Sequence, residues 1–346
     1  MKVSNYDRIT ETVHEWSLPQ HRARIDSVML GQTLVFDKND IFEYTHEQSG
    51  DINCAEISKN HIRFTLNNMD GRWNPDNPQG LEKYLSERQR VRVRYGMSLE
   101  NAVEWIDAGT FYLSFWDTGE SGFDAQFEAR DIMEFMLNVP YVPDEGLTPH
   151  ATHIRSAYNR ATGGYPEIDA SLLALGVPVT LSDSYTSAEI VQLAANALGA
   201  VEYQNREGVL CVKPLDETHT NFTIPLRMSS SHPRISLSKP LKGVSITGSE
   251  GVTYELLLGS SGEGQTLNNP MIVNEDLAAV VANNVKRALE TRKTVSGEFR
   301  ANPCLELFDI VDVETKQGTL TPVVLTDIKY SYSGSFWASY TGLVLG

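Results

Sequence analysis

The chain of 346 residues is poor in positive charge: 29 Lys and Arg stand against 45 Asp and Glu, for a formal net charge of −16. Proteins held on nucleic acid by phosphate contacts carry a clustered excess of Lys and Arg, so generic polyanion binding is not expected. Long apolar runs are also missing. No stretch approaches the roughly 18 apolar residues of a membrane helix, and the opening "MKVSNYDRITETVHEW" has no apolar signal core, so neither a membrane anchor nor a secretory signal is expected. Cysteine is scarce. Cys54, Cys211 and Cys304 lie far apart among apolar or strand-like neighbours, an odd set that fits buried reduced thiols better than a disulfide framework or a zinc site.

Catalytic signatures are lacking as well. No Ser sits in a G-x-S-x-G elbow, and "GSSGEGQ" (259–265) has no Lys to reach a phosphate, so it reads as a flexible hairpin loop rather than a nucleotide cradle. His150 and His153 have H-x-x-H spacing, but neither Ala151 nor Thr152 supplies the Glu of a zinc-hydrolase helix, and both are expected to be surface histidines. Carboxylate pairs such as Asp131/Glu134 and Asp309/Asp312 are inevitable among so many acids, and nothing marks either as an acid/base dyad. No cofactor and no metal are expected.

What the chain does contain is mostly strand. A hydrophobic content of 41% and a charged content of 21% are those of a folded protein, too long for one ordinary core. Short alternating segments separated by Gly, Asn and Asp run from about Arg24 to Arg130, with "LEKYLSER" and "DIMEFMLNV" as short helices. Residues 140–186 read as irregular and Pro/Gly-rich. Thr186 and Glu189 then form a capping box ahead of an apolar stripe that ends at Gly199, and a hairpin follows around Glu207-Gly208. The last third is strand again, with a second amphipathic helix after Asn274.

Two features invite a functional reading. The turn-rich stretch "NNMDGRWNPDNPQG" (67–80) offers Asp70, Asn74, Asp76 and Asn77 as oxygen donors, yet Gly71 and Arg72 follow Asp70 at once, which breaks calcium-loop spacing. It reads instead as a rigid turn packed down by Trp73. "RVRVRYG" alternates Arg90, Arg92 and Arg94 against Val91, Val93 and Tyr95. That comb of cations could pair with acids within or between subunits, lie as a solvated face, keep an edge strand from aggregating, or touch nucleic acid.

Three stretches taken together resemble the hub or tail-tip (baseplate hub) proteins of tailed bacteriophages and phage-tail-like particles. They are "FTLNNMDGRWNPDNPQG" with "RVRVRYG" and "GTFYLSFW"; "TSAEIVQLAANALGAVEYQNREGVLCVKPL"; and "NPMIVNEDLAAVVANNVKRALETRK" with "FRANPCLELFDIVDVET". The last matches an "NP-x-L-E-x-x-D-x-V" element through Asn302, Pro303, Leu305, Glu306, Asp309 and Val311. Phe308 stands where a Gly usually precedes the Asp, which leaves the turn type open. The resemblance implies an α+β, mainly β, fold: two β-barrel-like tube domains, 1–149 and 226–346, around a mixed middle unit at 150–225, the second carrying one inserted helix. It also implies a non-enzymatic homotrimer in the virion tail or baseplate, made in the bacterial host cytoplasm. Such a trimer joins the hexameric tail tube to a threefold spike or tip protein, with other baseplate proteins as partners and DNA only in passage. Arg90, Arg92, Arg94, Trp73 and Asp70 are the expected subunit or tube contacts. The rival expectations are a cell-wall-degrading enzyme and a receptor- or carbohydrate-binding tail protein, the latter using Trp105, Trp116 or Trp337, which core packing explains more simply.

Overall fold

The computed structural model describes residues 19–27, 32–37, 39–99, 102–119, 122–143, 148–175, 177–181, 184–215 and 220–345. Strands β1 (Pro19–Ser27), β2 (Gln32–Phe36), β3 (Ile41–Ser49), β4 (Lys59–Asn67), β5 (Arg90–Leu99), β6 (Ala102–Thr118) and β7 (Asp124–Arg130) form an antiparallel N-terminal unit. Period-two alternation builds it: Ile62, Phe64 and Leu66 of β4 point inward while His61, Arg63 and Thr65 point out. Ala125, Phe127 and Ala129 of β7 do the same beside them, and Phe64 stacks on Phe127 at 5.1 Å.

The middle holds helices α1 (Ile132–Met136), α2 (His150–Thr162), α3 (Ala170–Leu173) and α4 (Ser187–Ala197), then the hairpin β8 (Val201–Gln204) and β9 (Leu210–Lys213). Helix α4 starts on the capping box of Thr186 and Glu189 and ends before Gly199 at φ +64°. Helix α2 lies inside the stretch expected to be irregular, while "LEKYLSER" yields only a single 3-10 turn at Glu82–Tyr84.

The C-terminal part comprises β10 (Thr220–Ile224), β11 (Arg234–Leu237), β12 (Leu241–Thr247), β13 (Thr253–Leu257), β14 (Glu263–Asn268), helix α5 (Glu275–Glu290), β15 (Lys293–Arg300), β16 (Ile310–Glu314), β17 (Leu320–Tyr332) and β18 (Phe336–Leu343). "GSSGEGQ" is not a hairpin: β13 pairs antiparallel with one side of β12 and β14 parallel with the other, so the segment crosses between two edges. Strands β12–β14 and α5 share their apolar core with the middle helices, Val244, Ile246, Leu277 and Val281 meeting Ile154, Ile190 and Ala194.

The remaining strands join the N-terminal unit in one 13-stranded sheet, ordered β11-β15-β18-β17-β3-β4-β7-β6-β5-β1-β2, with β16 on β17 and β10 on β16. Among the described residues no closed barrel forms. The expected closure is replaced by a junction: β3 pairs with the far half of β17, from Asp327 opposite Ser49 to Tyr332 opposite Tyr44. Two β units therefore lie edge to edge over one shared core, and among the described residues the sheet ends at three strands, β11, β2 and β10.

Candidate assembly site

The loop 67–80 is a spiral of turns. Gly71, Asn74, Asn77 and Gly80 each donate a backbone N–H to the carbonyl three residues earlier, at 2.8–3.1 Å. Its amide side chains are spent inside it. Asn68 Oδ1 accepts from Trp73 N at 2.9 Å, Asn68 Nδ2 donates to Asn74 Oδ1 at 2.7 Å, and Asn77 Nδ2 donates to the Gly71 carbonyl at 2.8 Å. Asp70 is taken by Arg72, whose Nε lies 2.8 Å from Oδ2. Among the described residues no group of His, Cys, Asp or Glu is arranged to hold a metal ion. Trp73 is 2% exposed and sits edge-on to Phe127 at 5.0 Å and beside Phe36 at 5.7 Å. It is therefore a core residue that fixes the loop, which presents Met69, Asp70, Pro75, Asp76, Pro78 and Gln79 to solvent.

The arginine comb lies on β5, between β1 and β6, so it does not protect an edge. Its alternation is as expected: Val91, Val93 and Tyr95 are buried, Arg90 and Arg92 exposed and Arg94 half-buried. Arg94 pairs with Asp107 across the ladder at 2.5 Å. On β1 the register sets Arg22 opposite Arg94 and Arg24 opposite Arg92. The three arginines line a cleft of about 470 Å³, closed on its far side by Tyr158 and Thr162 of α2 and by the turn Arg206–Gly208.

Arg206 was not singled out by the sequence, yet it ties the hairpin turn to the loop 302–309. Its backbone N donates to Glu306 Oε1 at 2.9 Å, Nη2 donates to the Cys304 carbonyl at 2.7 Å, and Nε lies 3.3 Å from Glu306 Oε1. Tyr330 of β17 adds hydroxyl hydrogen bonds to the carbonyls of Asn302 and Leu305 at 3.1 and 3.0 Å. Asp309 Oδ2 accepts from Glu306 N at 2.8 Å, and burial, aided by Glu306, raises its pKa to about 6. Phe308 adopts φ +66°, the left-handed conformation that suits Gly, while its ring is buried against Tyr203 at 5.8 Å. The left-handed backbone costs a non-Gly residue about 1–2 kcal/mol. Phe308→Gly should relieve that strain but lose the ring's burial, and Phe308→Ala should lose the ring and keep the strain. The expected order in urea denaturation is wild type, then Gly, then Ala, with Gly ahead of Ala by about 1 kcal/mol.

At the β3–β17 junction the two units meet through aromatic rings. Tyr330 stacks on Phe336 at 5.7 Å, and Tyr95 lies 5.5 Å from Tyr330. His46, buried with them, donates from Nε2 to Asn60 Oδ1 at 2.7 Å and accepts at Nδ1 from the Tyr95 hydroxyl at 2.5 Å. Burial lowers its pKa to about 4, so the ring stays neutral at the junction. The outer face carries an ion-pair ladder instead: Lys329–Glu47 at 2.6 Å on β17 and β3, then Arg63–Glu128 at 2.9 Å and Glu128–Arg130 at 2.9 Å on β4 and β7.

His150 and His153 are not surface residues. Both are buried in α2: His150 Nε2 donates to the Met271 carbonyl at 2.8 Å, and His153 Nδ1 lies 2.8 Å from the Tyr141 hydroxyl. They pin the helix to its neighbours. Asp131 caps α1 by accepting from Glu134 N at 2.9 Å. The three cysteines are free and buried, and burial raises each thiol's pKa. Trp105, Trp116 and Trp337 are half-buried.

Glu202 is a buried acid that the sequence did not flag. It accepts from Ser58 N at 2.6 Å and Ser58 Oγ at 2.7 Å, joining β8 to the N-terminal unit, and burial raises its pKa to about 7. The fold thus holds a proton between pH 4.5 and about 7 that the unfolded chain has released, and stability falls as pH rises through that window. Glu202→Gln should be more stable than wild type at pH 8, by about 2 kcal/mol, and the gap should close near pH 4. Thermal melts of the two proteins across that range measure it.

No protein-family model and no curated protein matches the sequence. Solved structures do. The 43 kDa tail protein of prophage MuSo2 from Shewanella oneidensis aligns with a TM-score of 0.62 at 12% identity, over 94% of this chain and 98% of that one. A tail protein from Neisseria meningitidis aligns with a TM-score of 0.63 at 11% identity, over 94% and 96%. An Escherichia coli component of the type VI secretion system, structurally similar to the bacteriophage T4 tail proteins gp27 and gp5, aligns at 0.52 and 10% identity, over 89% and 74%. Across nearly its whole length the chain has the fold of these tail proteins.

Proposed function

We propose that this chain is a structural component of a phage or prophage-derived tail, and that it forms the trimeric hub or tip between the hexameric tail tube and a threefold spike or tip. The observation that carries this reading is the pairing of two β units edge to edge within one chain. Three such chains set six β units around an axis, which matches a sixfold tube on one side while keeping threefold symmetry on the other. The tail-protein fold over 94% of the chain supports the same reading. The β units correspond to tube-type domains at either end of the chain, with the mixed unit between them.

Other baseplate proteins bind the same assembly, and DNA only passes through. The net charge of −16 suits a passage in which DNA slides rather than sticks. Arg90 and Arg92 pair with acids of a neighbouring subunit or of the tube, beside Arg94, which Asp107 already engages within the chain, and Asp70 presents a contact on the loop that Trp73 holds in place. The reaction class of the chain is none: its side chains position partners. The protein belongs to the virion tail and is made in the host cytoplasm. Mass photometry tests the assembly directly. A three-copy mass and co-purification with the tube protein are expected; a monomer at every concentration, with no tube protein retained, would count against the hub.

A further inference from the structure

The charge of the chain changes sign at one cleft. Over the whole sequence Asp and Glu outnumber Lys and Arg by 45 to 29. Yet among the described residues the cleft over β5 is lined by Arg90, Arg92, Arg94 and Arg206 against two carboxylates, Asp107 and Glu207. Asp107 is taken by Arg94 at 2.5 Å, and Arg206 is held by Glu306 from outside the cleft. Arg90 and Arg92 are exposed, and Arg90 forms no ion pair among the described residues. The far wall is fixed rather than loose. Gly208, at φ +82°, lets the hairpin turn press on β6, where a Cβ would strike Thr110, and Arg206 ties the same turn to the loop 302–309.

The spacing says what fits. Arg90, Arg92 and Arg94 stand at alternate positions of one strand, so they leave its face about 6.8 Å apart. An extended segment laid along β5 brings its own alternate side chains at the same interval. A helix is about 10–12 Å across and would find room for roughly one turn in 470 Å³. Single-stranded nucleic acid adds base stacking on aromatic rings to its phosphate contacts. Here Tyr158 is buried, and Tyr112 lies half-buried against Phe135 at 5.1 Å. The net charge of −16 repels phosphates as well. A second copy of the chain is a poor source of the segment. Acids two positions apart occur in its sequence only at Glu167/Asp169 and Asp312/Glu314. Asp169 caps α3 by accepting from Ser171 N at 2.9 Å, Glu167 accepts from Asn205 Nδ2, and Glu314 accepts from Leu226 N at 2.9 Å. We propose that the cleft receives an extended segment of a different tail protein, whose carboxylates at alternate positions face Arg90 and Arg92. The proposal rests on the tail reading above for the source of the segment, and of the two sources named there it takes the one that is not a second copy.

Fluorescence anisotropy with a short labelled peptide alternating Glu and Thr tests this on the full chain. The same peptide with Gln for Glu, and an oligothymidylate of equal charge, run beside it. The Glu peptide is expected to bind about tenfold tighter than either. Arg90→Gln and Arg92→Gln should each weaken it about threefold, and together about tenfold. Their thermal melts should match wild type, because both side chains are exposed. Lys316→Gln, exposed in the turn 315–318 and not part of the cleft, should bind the peptide as wild type does. Equal binding of the Gln peptide, or unchanged binding by the double variant, overturns the proposal; if wild type is still a trimer that retains the tube protein, the hub reading stands. Tighter binding of the oligothymidylate overturns it by giving the cleft to nucleic acid. A double variant that falls from trimer to monomer in mass photometry overturns it by giving the cleft to a neighbouring copy. A wild-type monomer that retains no tube protein overturns the hub reading and, with it, the source of the segment.

Discussion

Arg206→Ala should destabilise the protein by about 3–5 kcal/mol, the usual result of removing one partner from a buried ion pair. The side chains of Arg206 and Glu306 are only 10% and 18% exposed, so little solvent screening softens the loss. Glu306 would be left facing Asp309, whose pKa burial and Glu306 itself already push up to about 6. The Cys304 carbonyl would lose its guanidinium donor in the same step. Arg206→Met/Glu306→Gln removes the unpaired charge and keeps an acceptor for the Arg206 backbone N–H position, so it should recover more than half of the loss. Urea midpoints of the single and double variants decide this. A single variant within 1 kcal/mol or so of wild type would show that the pair is solvated rather than structural.

Trp73→Ala should be comparably severe, about 3–5 kcal/mol, because it empties a fully packed indole site. The loss would include the edge contact with Phe127 and the contact with Phe36, which tie the loop to β7 and β2. Trp73→Phe should cost about 1–2 kcal/mol, since a smaller ring keeps part of that packing. The turn spiral is anchored by this ring and by Asn68, so limited proteolysis should cut Trp73→Ala first within 67–80. Cleavage elsewhere first would mean the spiral holds without its anchor.

Local signals were legible and non-local ones were not. The capping box on α4, the Asn274 cap of α5 and the alternation of β5 could be read because each depends on residues a few positions apart. Helix α2 was hidden by its ends. Pro149 and Gly163 look like breakers, but Pro149 is its N-cap and Gly163, at φ +71°, its left-handed C-cap. Its apolar face is thin, Ile154, Ala157 and Tyr158 being helped by two histidines that only tertiary contacts bury. The open sheet was out of reach for a different reason: which strand β3 meets is set by β17, near the other end of the chain. Arg206 and Glu202 carry no motif, and their weight comes from partners about 100 and 144 residues away. The left-handed turn at Phe308 was raised as an open point by its sequence, and there the backbone kept the Gly-like conformation while the side chain was used for packing.

The β3–β17 junction also sets a timetable. Its paired residues stand 278 to 288 positions apart, from Ser49 with Asp327 to Tyr44 with Tyr332, so a very long loop must close before they pair. During synthesis the N-terminal unit emerges with β3 as a bare edge and keeps it until β17 leaves the ribosome. Folding should therefore be slow and should finish only after β17 has emerged. Chains cut short before Leu320 would carry a permanently unpaired β3 into a crowded cytoplasm, where other such edges are the nearest partners. A premature stop in this protein is for that reason expected to leave aggregates rather than a soluble N-terminal half.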